Sequence, residues 1–247
     1  MRVTLVEHMG SDASVIAAAR RSFRPRVGEV RTAEQDARLI EYLATGLRTK
    51  ERAALKARII GCETAEDADR LIDEVQAIPK HFAPFCHPQA SFDIEAPIFV
   101  ARQLAKHQIG LVWSELSLRY VDEAPDVYCP EHWRGRPADV KQGSGGEPHM
   151  SQDVAFSDYR RALSQSANAY NCLTMGGVAP EMARMVLPVG SYTAWRWTGS
   201  LYAFARVCIQ RLDPHAQDET RRIAEQISAH MARLFPVSWR ALVRCAP

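Results

Sequence analysis

The stretch Lys106–Tyr120, KHQIGLVWSELSLRY, decides how this chain is read. It sets Lys106-His107-Gln108 eight residues ahead of Ser117-Leu118-Arg119-Tyr120, with Glu115 between and Val112 and Trp113 as apolar anchors. A guanidinium is a planar fork of donors suited to phosphate or carboxylate, and a serine hydroxyl adds a short-range donor beside it. A carboxylate in the same stretch can take a ribose hydroxyl or orient the arginine. The set suits a nucleotide monophosphate. On a helix end the same residue types also serve as a cap or a solvated face, so spacing alone leaves both readings open.

Working outward, Ala90–Ala96 alternates small or apolar with polar residues and predicts a strand. A helix is expected from about Pro97, delivering Gln103, Lys106 and His107. Upstream, Val3–Glu7 predicts a strand and Ser11–Arg21 a helix. Thr32 with Gln35 forms a capping box for a helix running to about Thr45, where Gly46 ends it. Thr64 with Asp67 opens another, with apolar positions at helical spacing up to Pro79. These two helices read as scaffold without chemistry.

Downstream, 121–149 is rich in Pro and Gly and predicts a long loop. Its Gly143-Ser144-Gly145-Gly146 lacks the G-K-[ST] ending of a phosphate-binding loop. Ser151–Met175 predicts a long helix closed by Gly176-Gly177, and Glu181–Met185 a short one. Trp195–Arg211 is aromatic at its start and helical after, and His215–Phe235 predicts a final amphipathic helix. Without an internal repeat, the economical reading is one α+β domain, 1–247, dominated by helices with a few strands.

With 47% hydrophobic and 24% charged residues and a net charge of +2, the chain is of ordinary globular composition. Nothing global calls for a nucleic-acid partner, although local basic clusters suit a small anion. Cys62, Cys86, Cys129, Cys172, Cys208 and Cys245 are scattered, and no pair has C-x-x-C spacing. No metal site is expected, and free thiols in a reducing cytoplasm are. No segment reaches the ~18 apolar residues of a membrane span.

The signature is similar to that of flavin-dependent thymidylate synthases, an Arg-His-Arg triplet followed after a short spacer by Ser-x-Arg-Tyr. Here Lys106 and Gln108 replace the two arginines. Further blocks carry the resemblance in the family's order. His81-Phe82-Ala83-Pro84-Phe85-Cys86-His87 resembles its His-rich loop, and Ala96–Gln103 the segment leading into the triplet. Ala183-Arg184-Met185-Val186-Leu187-Pro188 and Arg211-Leu212-Asp213-Pro214-His215-Ala216-Gln217 resemble its C-terminal half.

The resemblance implies a helix-rich domain with a small antiparallel sheet. It also implies reductive methylation of dUMP to dTMP, with FAD as cofactor and 5,10-methylenetetrahydrofolate and NADPH as co-substrates. Carried over by position, Gln103, Lys106, Glu115, Ser117, Arg119, Arg184 and Arg211 would hold dUMP. Arg211 would activate the pyrimidine by favouring ionisation at N3, as a fixed cation stabilises a developing anion. Alone, Arg211 also reads as a helix C-terminal arginine, and Asp213 as its partner.

Ala83, Lys106, His107, Gln108, Glu115, Ser200, Arg206 and His215 would meet FAD. His81 would stack on the folate. Ala83 stands where the family has a small hydroxyl residue, and Ser200 and Arg206 where it often has asparagines. The family is homotetrameric with shared sites, which implies that Arg184 comes from another subunit. Cys86-His87 lacks the preceding proline of a classical synthase's nucleophile, and no G-x-G-x-x-G is present. Two alternatives remain: a same-fold enzyme acting on another pyrimidine nucleotide, and a non-catalytic nucleotide-binding relative.

Overall fold

Residues 89–97 bury Ala90, Phe92, Ile94 and Ala96 and expose Gln89, Asp93 and Glu95, the period-two pattern of a strand, interrupted where Ser91 and Pro97 are buried as well. The computed structural model describes residues 1–23, 30–119, 123–136, 144–145, 148 and 151–244. In chain order they form β1 (Arg2–Met9), α1 (Asp12–Arg20), α2 (Ala33–Thr45), α3 (Thr49–Ile60), α4 (Ala65–Ala77), β2 (Gln89–Pro97), α5 (Ile98–Leu104) and β3 (Leu111–Glu115). There follow α6 (Gln152–Met175), α7 (Pro180–Ala183), β4 (Tyr192–Ser200), α8 (Leu201–Arg211), α9 (Asp218–Leu234) and α10 (Pro236–Arg244). The strands form one antiparallel sheet in the order β1-β2-β4-β3, within a helix-rich α+β architecture. The chain divides into two compact units. Met1–Val6, Ser91–Thr198 and Gln210–Gln226 make the first; Glu7–Ala90, Gly199–Ile209 and the chain from Ile227 make the second.

In the first unit β4 sets the pattern. Thr193, Trp195 and Trp197 are buried, while Arg196 is exposed and clasps Asp93 of β2 through two bonds of 2.8 Å. Those bonds hold the Asp93 carboxyl below its usual range. Ser91 and Thr198 join hydroxyls across the same strands at 2.9 Å. On the other side of β4, Trp113 of β3 stacks on Trp195 at 4.5 Å and meets Trp197 edge-on at 5.5 Å. Such pairs stabilise by about 0.5–1.5 kcal/mol beyond the area they bury.

In the second unit α1, α2 and α10 pack together around Val15, Ile16, Ile40, Leu43, Phe235 and Trp239. The Asp12 carboxylate accepts the Val237 and Ser238 amides, 2.9 Å each, supplying an anion where the start of α10 leaves donors unpaired. The Thr32–Gln35 capping box forms as expected, with bonds of 3.0 and 3.2 Å. Gly46 ends α2 at φ 74°, and a Cβ there would lie 2.3 Å from the Pro79 carbonyl oxygen, so only glycine fits.

Several expectations change. The helix from Pro97 stops at Leu104, so Lys106 and His107 lie in the turn that follows it, closed by Gly110 at φ 75°. Residues 106–115 are therefore a turn and an edge strand rather than a helix end, because Leu111–Glu115 pairs with β4 and Leu116 N donates to the Ala194 carbonyl at 2.8 Å. Of the two apolar anchors, Trp113 packs and Val112 is 68% exposed. Residues 195–200 belong to a strand, the helix beginning only at Leu201, and α10 follows the helix expected to be final. The scaffold region holds a third helix, α3, which buries no residue and so leaves no apolar stripe to read. Tyr120 and much of the 121–149 segment lie outside the described residues; within the rest, isolated bridges join Val127 to Ser191 and Arg134 to Pro148.

Candidate active site

The first unit assembles a hydrogen-bonded group from residues far apart in sequence. Arg211, the last residue of α8, donates from Nε to His107 Nε2 at 3.0 Å and from Nη2 to the Gln103 carbonyl at 3.0 Å. The guanidinium is half-buried and held at two points, so its orientation is set before any ligand arrives. An imidazole that accepts at Nε2 carries its proton on Nδ1 when neutral. The Gln103 side chain is engaged as well: Nε2 donates to Gln217 Oε1 at 2.5 Å, and Thr220 Oγ1 meets its Oε1 at 3.2 Å.

The edge strand places the second half of the signature. Glu115 accepts from Thr193 Oγ1 at 2.9 Å and from the Trp113 indole at 3.1 Å, so β4 and its own strand orient the carboxylate. Ser117 Oγ takes the Arg119 Nε–H at 3.1 Å, and Arg119 is exposed. Serine and arginine thus bond to each other, the hydroxyl as acceptor, while Glu115 bonds to Thr193 and Trp113. Lys106 and Gln108 are exposed on the turn that carries His107.

Other candidates stand apart from this group. Arg184 is exposed in the 3-10 turn after α7, its Nε bonded to the Glu181 carbonyl at 3.2 Å. Asp213 does not pair with Arg211. Its carboxylate takes the His215 amide at 2.7 Å and contacts the His215 ring at 3.0 Å, and these bonds hold it below the usual carboxylate range. In the second unit His81 is exposed beside Tyr42 with ring centres 5.6 Å apart, and Ala83 opens a short 3-10 turn. Ser200 is buried, with its hydroxyl accepting the Ala203 amide at 3.2 Å as a cap for α8, and Arg206 is exposed on that helix. Burial pushes the Cys86 and Cys208 thiols up, which disfavours the thiolate at both.

Residue-by-residue reading missed a polar cluster beside the Gln103–Arg211 contact. Arg134 Nη2 clasps both oxygens of Glu219 at 2.7 and 2.9 Å, and the Tyr128 hydroxyl adds a third bond at 3.2 Å. Burial and the Glu219 charge push the Tyr128 phenol up to about 12, so it stays a donor at neutral pH. Asp218 links to Arg221 at 2.6 Å and Arg222 at 2.8 Å. Gln217 lies in the Arg211–Gln217 block, where the resemblance implies no role for it. Arg134 and Glu219 had no local signal, being 85 residues apart.

Residues 4–237 match the family model described as "Thymidylate synthase complementing protein". The flavin-dependent thymidylate synthase of Thermus thermophilus is 32% identical over 240 residues, covering 97% of this chain and 74% of the relative. That of Thermosipho africanus is 30% identical over 243 residues, 98% and 90% of the two chains. Among solved structures, the UMP/dUMP methylase PolB from Streptomyces cacaoi, bound with 5-Br dUMP, superposes with a TM-score of 0.74 at 26% identity, over 98% of this chain and 94% of that one. With the ordered blocks, the antiparallel sheet and the Arg211–His107–Gln103 group already in hand, these matches establish that the chain belongs to the flavin-dependent thymidylate synthase family of methyltransferases.

Proposed function

We propose that this enzyme methylates dUMP to dTMP in the cytoplasm, with FAD as cofactor, 5,10-methylenetetrahydrofolate as carbon donor and NADPH as reductant. The observation that carries the reading is the convergence of Arg211, His107 and Gln103, drawn from positions more than a hundred residues apart in a chain of this family. Arg211, oriented by two bonds, offers the rest of its guanidinium to a pyrimidine edge and favours the anion at N3. Arg119 and Ser117 would supply charge-assisted and hydroxyl donors for the phosphate, with Lys106 and Gln103 also assigned to dUMP and Arg184 joining from another subunit. Glu115 is oriented to accept a ribose hydroxyl.

The residues fit the flavin in kind: Lys106, His107 and Gln108 set a cation, an imidazole and an amide on successive positions of one exposed turn. These would meet a diphosphate and a planar ring, with Glu115 and His215 of the same unit; Ala83, Ser200 and Arg206 are assigned to the flavin by the resemblance alone. Bound flavin supplies the redox and carbon-passing chemistry that removes the need for an enzyme nucleophile. His81, exposed in its loop, would stack on the folate. A homotetramer with shared sites is supported by the apolar side chains that α6, α7 and the following turn expose, among them Met175, Met182, Met185 and Val189. The whole chain then acts as one catalytic domain. Among the described residues no helix is long and apolar enough to cross a membrane.

Release of tritium from C5 of labelled dUMP, dependent on both FAD and methylenetetrahydrofolate, tests the reaction. Bound flavin without release would overturn the choice of substrate. A second reading, turnover of another pyrimidine nucleotide, is favoured by the likeness to a UMP/dUMP methylase; product analysis with UMP and dCMP beside dUMP separates the two. The Lys106 and Gln108 replacements favour a non-catalytic relative only if no flavin binds and Gln108→Arg restores binding.

A further inference from the structure

In the second unit the chain leaves α2 at Gly46 and comes back at Pro79, whose carbonyl a Cβ on Gly46 would strike. The His81 amide then donates to the Leu43 carbonyl at 2.9 Å. Residues 47–78, α3 and α4 with their turn, are thus one excursion closed at its base. α3 buries no residue, and a helix of twelve residues is marginal in water unless it covers a face. The face it leaves open is Ala53, Lys56, Ala57 and Ile60, one stripe at i, i+3, i+4 and i+7, with Ile60 86% exposed. α4 leaves open Asp69, Ile72, Asp73 and Gln76 at the same spacing, with Ile72 52% exposed. The two helices carry opposite charge. α3 holds Lys50, Arg52, Lys56 and Arg58 against Glu51, and α4 holds Glu66, Asp67, Asp69, Asp73 and Glu74 against Arg70. Ion pairs inside the unit use Arg52 with Glu41, Arg58 with Glu74 and Arg70 with Glu66. Lys56, Asp69 and Asp73 join no ion pair among the described residues.

Arg58 and Glu74 clasp each other and so mark the side on which α3 and α4 meet. At about 100° per residue the two open stripes lie on the far side of their helices from that clasp, facing outward and unable to meet within one chain. We propose that α3 of one copy docks along α4 of a second copy, the Lys56 ammonium meeting the Asp69 and Asp73 carboxylates, with Ile60 and Ile72 as the apolar contacts beside them. Both signs stand on one chain, so a polyanion drawn to α3 is repelled by α4, whereas a second copy satisfies both. The contact joins two different faces, and repeated from copy to copy it closes a ring or runs on. None of these residues belongs to the site or to the apolar surface of α6 and α7, and the docking does not depend on which reaction the enzyme performs.

The test is sedimentation velocity of the full-length protein over a concentration series, at low and at high salt. Wild type is expected to form an assembly that loosens as salt rises. Lys56→Glu alone, and Asp69→Lys with Asp73→Lys, each set like charges face to face and should weaken that assembly about tenfold. Mixing the two variants pairs Glu at 56 of one with Lys at 69 and 73 of the other and should restore the wild-type size, which a contact within one chain could not do. Identical sedimentation of wild type and both variants would overturn the proposal, as would a weakening that mixing does not repair. Should either variant not fold, a carbodiimide that joins amines to touching carboxylates gives the answer on wild type. A Lys56 link to Asp69 or Asp73 in the covalent dimer upholds the docking; its absence there overturns it.

Discussion

Helices α3 and α8 are nearly equal in length, twelve and eleven residues, yet they are held by different physics. α8 buries Leu201, Ala203, Phe204, Ala205, Val207 and Cys208, and its last residue, Arg211, is fixed by His107 and the Gln103 carbonyl. α3 buries nothing and is tied by ion pairs, Arg52 to Glu41 at 2.8 Å and Arg58 to Glu74 at 2.7 Å. Apolar burial removes the freedom of a whole helix, so a side chain at its end acquires one position. The Arg58–Glu74 pair is exposed and Arg52–Glu41 only partly covered, and ion pairs open to water share their energy with solvent and fix little. Chemistry that needs a guanidinium placed in advance belongs on the first kind of helix.

The largest expected effect comes from cutting into α8. Phe204→Ala should cost about 3–5 kcal/mol in denaturant unfolding, because it leaves a cavity in a closely packed core. A loss near zero would end the contrast between the two helices. Next is the Arg134–Glu219 pair, with side chains 17% and 3% exposed. Arg134→Met strands a buried carboxylate and should destabilise by about 3 kcal/mol.

The same pair gives a pH dependence. The Glu219 pKa is lowered on folding, so its contribution is complete above the ordinary value of 4.5 and is lost as pH falls through the lowered one. Unfolding measured from pH 7 down to pH 3 should show a steeper acid limb for wild type than for Arg134→Met. Parallel limbs would remove Glu219 as the cause.

Arg211→Ala separates stability from chemistry. The fold and bound flavin should survive while kcat falls about 10²–10³-fold, the loss typical of one fixed transition-state donor. Near-normal turnover would sink its assignment. At the small end, Arg58→Ala should leave the melting temperature unchanged within error, since both partners are more than half exposed. A clear drop would mean that α3 is held by more than its surface charges.

What could be read from the sequence was whatever neighbouring residues decide among themselves. The capping box at Thr32 and Gln35, the glycine stop at Gly46, the alternation of 90–96 and the ordered signature blocks all act over a few residues. The structure bears out the capping box, the glycine stop and the strand, and the comparisons bear out the family. Helix α3 was invisible because it has no buried face, and β3 because five residues become a strand only when β4 lies beside them. The site divides in the same way. Ser117 and Arg119 are two positions apart and meet locally, whereas Arg211 reaches His107 across 104 residues and Gln103 meets Gln217 across 114. Sequence determined which groups were available, the carboxylates, amides, hydroxyls and guanidinium. Only the tertiary structure decided which way each one points, because a hydrogen bond is directional and its partner here is supplied by the far end of the fold.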